Sequence, residues 1–311
     1  MDASYVASRG THLSVTRQIN ATPGQYLSTS PFRDQKTIDY LSASFPNPFY
    51  GTNPVYSANM SRANLLRPYP QFGDISIAQP VGYTWYHSLQ ARVEKRFSHG
   101  YTLQAGYTYS KFMQATEFLN SVDPVPYRVI SDMDRPHVFT LSGLWELPYG
   151  RGRKFGAKVP AAVDFVLGGW QLDATAIRQA GSPLAWGNIL FIGNTDNIPL
   201  PKDQRTADRW FNTDAGFEKN SKLALSNNIR TFPLRLNAAR ADGQSTWNFS
   251  LLKNYRIRER ATAQFRAEAY NAWNHSSFDV PDRSPTSSTF GMITSTLSEP
   301  RGFQFSLKLA F

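Results

Sequence analysis

The chain has 311 residues, a formal net charge of +10 and no cysteine. Its mean hydropathy is −0.42, and no stretch approaches the ~18 consecutive apolar residues that a membrane-spanning helix needs, which excludes a helical membrane protein. A β-barrel is still compatible, because barrel strands alternate apolar and polar residues. Aromatic residues make up 14% of the chain, which suits girdles at two membrane interfaces.

The charge and the missing cysteines exclude further classes. Without cysteine there is neither a thiolate zinc site nor thiol catalysis. The basic residues are scattered, and no basic helix or nucleic-acid motif occurs, so we predict no nucleic-acid partner. We assign the positive charge to solvated loops and a polar lumen, with phosphate groups of lipopolysaccharide as the alternative.

The first elements along the chain are predicted strands. Residues 2–8 and 11–18 form two candidates joined by a tight turn near Gly10. The strongest signal follows in YTWYHSLQARVEKRFSHGYTLQAGYTYSKF, where two long alternating segments flank a short turn at Ser98-His99-Gly100. One parity of these two segments is apolar: Tyr83, Trp85, Leu89, Ala91, Val93 and Phe97, then Tyr101, Leu103, Ala105, Tyr107 and Tyr109.

The same alternation predicts the remaining strands. Candidates lie at 136–147, 169–181, 247–257 and 261–273, and the Arg258-Glu259-Arg260 stretch would turn the chain between the last two. The final segment, 303–311, alternates throughout. One further strand is expected between 182 and 245, around Leu234 to Ala238, which brings the total to about ten.

The connections between these strands alternate in length. The turns near Gly10, Gly100 and Glu259 are very short, the link at 148–168 is moderate, and the segments 19–81, 113–135, 182–245 and 274–300 are long. Compact soluble domains rarely contain several long irregular loops, whereas outer-membrane barrels have short periplasmic turns and long extracellular loops. The pattern therefore predicts an all-β, antiparallel transmembrane β-barrel portion with those turns and loops.

The polar parity of the strongest strands predicts a wet lumen. Charged side chains in the middle of a strand need water or a partner, which the inside of a barrel supplies. The predicted lumen-facing residues are Gln90, Arg92, Glu94, Gln264, Arg266 and Glu268.

Further motifs connect the strands to one family. They are SRGTHL, NPFYG, LLRPYPQF, WYHSLQARVEKRFSHG, YTYSK, SDMDRPHVFTLSGLWELPYGRGRKF, LGGWQLDATAIRQAGSP, LLKNYRIRERATAQFRAEAYNAWNH and FQFSLKLAF. In this order, and over almost the whole chain, they resemble the C-terminal barrel half of TonB-dependent receptors. The closest group is the Oar-like branch, whose members carry an N-terminal carboxypeptidase-regulatory-like domain.

The resemblance implies a location and a function. Residues 1–311 would be the C-terminal part of a barrel in the bacterial outer membrane, and the intact protein would import a scarce substrate actively, without enzymatic activity or a cofactor. The plug domain, TonB box and signal peptide of the family are not found, so we expect a fragment that forms an open half-barrel. Siderophores, cobalamin, oligosaccharides and peptides all fit as substrates.

The resemblance also implies partners. These are outer-membrane lipid and lipopolysaccharide, the barrel assembly machinery, and the TonB complex through the missing plug. An alternating last strand that ends on an aromatic residue resembles the signal read by the assembly machinery. The residues of this signal would be Phe303, Phe305, Leu307, Leu309 and Phe311.

Several alternatives compete with this interpretation. Asp132, Asp134 and His137 in DMDRPH form a possible metal cluster, although Pro136 favours a junction between loop and strand. A passive porin-like or structural barrel protein would share the strand pattern. A secreted all-β adhesin or glycan-binding domain would instead turn its apolar faces inward. Aromatic residues of the long loops could bind a ligand, but packing of the loops is favoured.

Overall fold

The computed structural model describes residues 1–258 and 261–311, and β-strands dominate it. The strands are β1 (Asp2–Gln18), β2 (Ser44–Pro46), β3 (Asn59–Ser61), β4 (Ser76–Ser98), β5 (Tyr101–Ala115), β6 (Val129–Ile130), β7 (His137–Glu146), β8 (Trp170–Gln179), β9 (Pro183–Ala185), β10 (Arg235–Arg240), β11 (Gln244–Arg258), β12 (Ala261–Tyr270) and β13 (Gly302–Ala310). The α-helices are α1 (Gln35–Ser42), α2 (Arg62–Leu65) and α3 (Ala161–Leu167). No helix within the described residues is both long and apolar enough to cross a membrane.

Eight long strands form one antiparallel sheet in the order β1-β4-β5-β7-β8-β11-β12-β13, with the short β6 added to β5. Each long strand pairs with the next long strand along the chain, as the alternating pattern and the short turns dictate. Among the described strands, β1 and β13 have one partner each, so the sheet is open. The predicted all-β, antiparallel fold class is confirmed.

The register aligns apolar with apolar residues on one face of the sheet. Leu89 lies opposite Tyr109, and Phe265 lies opposite Leu307. This face points to the outside: Leu89 is 55% exposed and Leu307 is 70% exposed. A closed sandwich would bury such a face, so the structure has the opposite arrangement to that expected for a secreted adhesin domain.

The predicted turn near Gly10 is wrong. Residues 2–18 form a single strand, and β4, with 23 residues, is long enough to pair with both halves of it. The extra residues around His12, whose φ is 57°, are absorbed by register shifts between Gly10 and Val15. A β-bulge of this kind disrupts the ladder only locally and lets pairing continue on both sides of it, whereas the glycine in the sequence suggested a reversal.

The expected tenth strand around Leu234 to Ala238 is also wrong as a barrel strand. This stretch overlaps β10, which pairs with β9 in a separate two-stranded sheet. Residues 1–258 and 261–311 therefore contain eight long strands rather than about ten, because two predicted strands merge into β1 and one belongs to a loop. The candidates at 136–147 and 169–181 are confirmed as β7 and β8.

The hairpin between β4 and β5 is confirmed. His99 and Gly100 connect them with φ values of 55° and 82°, which is the backbone that a two-residue hairpin turn of type I′ requires. The predicted turn at Arg258-Glu259-Arg260 lies outside the described residues at 259 and 260.

The two ends of the sheet differ, as the connection lengths predict. We call the end with the β4–β5 hairpin and the 147–169 link the turn end, and the opposite end the loop end. The long segments 19–75, 116–136, 180–243 and 271–301 all lie at the loop end.

The main buried hydrophobic cluster lies in these loops and not in the sheet. Trp186 stacks on Phe217 with ring centroids 5.1 Å apart, and Phe211 and Phe232 meet Trp186 edge-on. Phe290, from the turn-rich segment DVPDRSPTSSTFG, packs on Phe211 at 5.3 Å. The expectation that loop aromatics pack the loops is confirmed for Phe290. Other buried members are Leu184, Ile198, Trp210, Ala239, Ala241 and Ile293.

Long-range polar contacts join the loops to one another. The side-chain amide of Asn228 donates hydrogen bonds to the carbonyl oxygens of Ser30 (3.0 Å) and Phe32 (2.9 Å). Asn228 lies in the segment that follows β8, and Ser30 and Phe32 lie in the segment that follows β1. These hydrogen bonds therefore connect the loop after the edge strand β1 to the loop after β8, which lies in the middle of the sheet.

A buried ion pair fixes the loop cluster to the sheet. Asp134 is fully buried, and its Oδ2 lies 2.7 Å from Nη2 of Arg240. Its Oδ1 accepts a hydrogen bond of 2.6 Å from the backbone N–H of Phe112 in β5. Arg240 also donates to the carbonyl oxygen of Gly181 at 3.1 Å. Both partners therefore have several hydrogen bonds, as a buried charge requires.

Replacing Asp134 by alanine tests this anchor. The Asp134→Ala variant leaves the Phe112 N–H and the Arg240 guanidinium buried without their acceptor, which should lower the opening free energy of the loop cluster by about 3–5 kcal/mol. Hydrogen exchange of the amides in residues 184–241 measures this quantity. The control is Asp196→Ala, at an exposed position of the 180–243 segment whose amides are measured. Equal protection in both variants would contradict the role of Asp134.

Helix α1 depends on an ionised cap. Asp34 accepts hydrogen bonds from the Thr37 hydroxyl (2.7 Å), the Ser28 hydroxyl (2.8 Å) and the Thr37 N–H (3.2 Å). These bonds, led by that of the Thr37 hydroxyl, hold the pKa of Asp34 below its usual value of 3.8. The carboxylate therefore stabilises the folded segment above that pH, and the contribution is lost as the pH falls through the lower, folded-state pKa.

We expect the amides of α1 to lose protection as the pH is lowered from about 6 to about 3. An Asp34→Asn variant keeps an N-cap acceptor but cannot titrate, so its protection factors should be independent of pH in this range. Hydrogen exchange, corrected for the intrinsic rate at each pH, provides the measurement. The same loss in both proteins would show that another group is responsible.

Candidate functional site

A cavity of about 490 Å³, lined by both polar and apolar residues, lies at the loop end of the sheet. Its floor consists of polar side chains that share one face of β8 and β11, which is the face opposite the exposed apolar one. Its walls come from the segments that follow β8 and precede β11, and from the loop between β12 and β13. The lining residues used below are Arg135, Gln179, Asp242, Gln244, Asn248, Asn271, Ser277 and Glu299.

Two glycines allow the walls of the cavity to approach closely. A side chain at Gly181 would overlap the carbonyl oxygen of Ala241, and a Cβ at Gly243 would lie 2.5 Å from the carbonyl oxygen of Gln179. Because the two backbones are this close, the side-chain amide of Gln179 reaches Oε1 of Gln244 at 3.0 Å. The polar floor is therefore set by the exit of β8 and the entry of β11.

Asn271 holds the loop between β12 and β13 over the floor of the cavity. Its backbone N–H donates to Oδ1 of Asn248 on the floor, and its side-chain amide donates to the carbonyl oxygens of His275 and Glu299, each at 3.0 Å. Its φ of 46° is left-handed, a conformation that asparagine tolerates better than most residues. One residue thus joins both ends of the 271–301 loop to the sheet.

Three charged residues face the cavity. Arg135 donates to the carbonyl oxygens of Asp132 (2.9 Å) and Asp134 (3.0 Å), and burial lowers its pKa, although an arginine keeps its charge. Asp242 accepts from the N–H groups of Gly243 (2.8 Å) and Phe278 (3.0 Å). Glu299 completes the set.

The cavity also holds an unused hydrogen-bonding atom. The hydroxyl oxygen of Ser277 is buried and has no hydrogen-bond partner within the described residues. Buried polar atoms are normally paired with protein, water or a ligand. Together with the amides and the three charges, it makes the cavity suited to bind a polar solute through hydrogen bonds.

The possible metal cluster of the DMDRPH motif does not assemble. Asp134 is bound to Arg240, and His137 Nδ1 lies 2.8 Å from the Tyr107 hydroxyl on the apolar face. Across the residues that the structure describes, no group of three His, Cys, Asp or Glu side chains could hold a metal ion. The alternative is confirmed, since Pro136 immediately precedes the first residue of β7.

The six residues predicted to face the lumen lie on the polar face but do not line the cavity. Arg92 and Glu94 form an ion pair at 2.8 Å, and Arg266 and Glu268 approach to 3.7 Å. Gln90 donates to the Ser88 hydroxyl at 3.2 Å, and Gln264 donates to Oδ1 of Asn254 at 2.9 Å. Four strands separate β4 from β12, so the two groups do not meet. Their role in a closed lumen stays a prediction.

The residues of the expected assembly signal form a continuous apolar row. Phe303, Phe305, Leu307 and Leu309 lie in β13 opposite Ala269, Ala267, Phe265 and Ala263, and all four are exposed. Phe311 follows the end of the strand. This geometry gives the row an outward apolar surface, while recognition by an assembly machinery stays a prediction.

Sequence reasoning missed the residues of the cavity itself. Gln179 and Gln244 have the polar parity of β8 and β11, so attention to the strand ends beside the longest loop could have identified them. Arg135, Asn271 and Ser277 lie in loops without periodicity. Nothing local in the sequence indicates that these three side chains converge.

Comparisons with solved structures and with curated proteins gave the following results. Two solved structures are similar over 86% of this chain, each at 12% identity: P. aeruginosa FpvA bound to a heterologous pyoverdine with iron, with a TM-score of 0.34, and the FpvAI–pyocin S2 complex, with a TM-score of 0.35. The chain spans 23% of the length of each of those chains. No curated protein matches it.

The family assignment rests on a match over nearly the whole sequence. The model of the family described as "Outer membrane beta barrel domain" matches residues 1–304. This family agrees with the antiparallel meander of long strands and with the apolar face that points outward. The chain therefore belongs to the outer membrane β-barrel domain family and is located in the bacterial outer membrane.

Proposed function

We propose that this chain is the C-terminal part of the barrel of a TonB-dependent receptor of the Oar-like group, which imports a scarce substrate across the outer membrane. The observation that carries the proposal is the series of strand and loop motifs that resemble those receptors in order over almost the whole chain. The open sheet supports it, because free edges must be paired before the strands can reside in lipid.

The two ends of the sheet support an uptake role. Outer-membrane barrels place short turns in the periplasm and long loops outside, so the loop end faces the exterior. β5 has 15 residues and extends over about 50 Å at roughly 3.4 Å per residue. A strand inclined by about 45° needs only about 35 Å to cross an apolar band of about 25 Å. The packed loops and the cavity would therefore stand above the membrane, where a solute arrives.

The polar face of the sheet supports the path of the solute. The cavity opens at the outer end of this face. The Arg92–Glu94 pair lies nearer the turn end, whereas the Arg266–Glu268 pair lies in the half of β12 that leads to the cavity. A solute released from the cavity would meet hydrogen-bonding side chains along the polar face of the sheet, from the loop end to the turn end. In this proposal the chain acts in transport without catalysis, and coupling to the TonB complex runs through a plug. Lipopolysaccharide and the barrel assembly machinery are its other proposed partners.

Conductance in a planar lipid bilayer tests the proposal against a passive pore. The protein to use is the full-length product of the gene that encodes this chain, with a porin as the positive control. A receptor whose barrel is filled by a plug should give no steady ionic current, whereas the porin gives stepwise, ohmic increases. Stepwise current from the full-length protein would contradict gated import and favour a porin-like channel.

A further inference from the structure

The link between β7 and β8 is the longest described connection at the turn end of the sheet. We call residues Tyr149–Gly169 the basal segment. It contains α3, whose residues Phe165, Val166 and Leu167 are 52%, 58% and 52% exposed. Three neighbouring apolar side chains that are exposed on a connecting segment form an apolar patch. Such patches mark sites of contact with protein or membrane, since exposing them to water is unfavourable.

The helix is held against the outward apolar face of the sheet. The ring of Phe165 meets the ring of Tyr255 edge-on, with centroids 4.5 Å apart. Tyr255 lies in β11 opposite Ala263, on the face that contacts lipid in this family. The indole N–H of Trp170 donates to the carbonyl oxygen of Val166 at 2.9 Å. The exposed apolar side of α3 is thus continuous with the lipid-facing surface.

Lys253 shows at which depth this contact lies. It is paired with Trp170 and Phe265 and therefore shares their apolar face. Its ammonium group donates to the carbonyl oxygen of Gly168 at 2.6 Å and lies 5.3 Å from the ring of Trp170. A lipid-facing lysine is far more costly at the bilayer midplane than near an interface, which places the contact of Lys253 with α3 near the membrane interface.

The contact of Lys253 satisfies two groups at once. The last carbonyl groups of a helix have no partner inside the helix, and a cation near them is favourable. The end of α3 therefore supplies acceptors for the lysine, and the lysine supplies a donor for the helix end. This arrangement is suited to the boundary between lipid and water.

The basal segment carries an excess of positive charge beside its apolar residues. Arg151, Arg153, Lys154 and Lys158 are all exposed. Its one carboxylate, Asp164, is engaged by the backbone N–H of Arg151 at 2.7 Å. Arg153 is paired with Glu146 at 2.7 Å, whereas neither lysine has an ion-pair partner among the described residues. Cations next to apolar side chains at an interface attract anionic lipid headgroups.

We infer that the basal segment binds the membrane surface: α3 lies in the periplasmic leaflet of the outer membrane, and Lys154 and Lys158 bind the headgroups of anionic phospholipids there. The continuity of α3 with the lipid-facing surface and the local charge identify the partner as lipid. The inference rests on the membership of the barrel family and is independent of the proposed import.

The depth of α3 can be measured directly, because the chain has no cysteine. The single variants Val166→Cys and Leu167→Cys of the full-length protein, with any other cysteine replaced by serine, are spin-labelled in nanodiscs of phosphatidylethanolamine and phosphatidylglycerol. The labels should collide readily with oxygen and poorly with a water-soluble nickel chelate. A label at Leu223, which is exposed in an extracellular loop, is the control and should show the reverse. Nickel accessibility as high as that of Leu223 at both sites would overturn the inference.

The proposed binding of lipid headgroups by Lys154 and Lys158 has a separate test. In the double variant Lys154→Gln and Lys158→Gln, retention of phosphatidylglycerol by the detergent-extracted protein should weaken by about five-fold per lysine removed. Native mass spectrometry counts the bound lipids. The matched control is Lys219→Gln with Lys222→Gln, which removes the same charge from an extracellular loop. Equal retention in both double variants would overturn the headgroup contact, as would displacement of the lipid by inorganic phosphate.

Discussion

The pairing of backbone hydrogen bonds between neighbouring long strands is the interaction on which the rest of this structure depends. A chain that crosses lipid must satisfy every N–H and C=O group internally, because hydrocarbon offers no alternative partner. Here the antiparallel ladder runs from β1 to β13 with each long strand beside its sequence neighbour. Once this ladder exists, alternation alone separates the side chains into an apolar and a polar face.

This separation determines where the hydrophobic core can be. The apolar face of the sheet is turned towards lipid, so residues such as Phe305 cannot contribute to a buried core. The loops supply one instead: Trp186, Phe211 and Phe217 pack together above the sheet. The strands and the loops therefore place their apolar side chains in different environments. Those of the strands face lipid, whereas those of the loops pack against one another as in the core of a soluble domain.

The sequence was informative where periodicity is strong and local. The β4–β5 hairpin followed from two alternating segments around His99 and Gly100, and the structure has the left-handed backbone that this turn requires. Gly10 gave a false turn, because a glycine in a bulge and a glycine in a reversal look alike when the partner strand is not known. The stretch around Leu236 alternates sufficiently for a strand, but only its pairing with β9 shows that it lies in a loop.

The candidate cavity and the basal segment were less predictable for a physical reason. Arg135, Gln179, Asn271 and Ser277 come from segments far apart in the chain, and their convergence depends on how three loops pack on the sheet. Lys253 interrupts the apolar parity of β11 and was a visible irregularity in the sequence. Its partner, the end of α3, could not be inferred from local pattern, because 85 residues separate Lys253 from Gly168.

The hydrogen bonds of Asn228 have a consequence for the order in which the protein folds. They join residues 198 and 196 positions apart, whereas the strand ladder joins neighbours in sequence. Contacts of such high sequence separation carry a large loop-closure entropy and form slowly unless the intervening chain has already been organised. The meander must therefore be in register before the outer loops can consolidate, and the extracellular face becomes the last part of the molecule to mature.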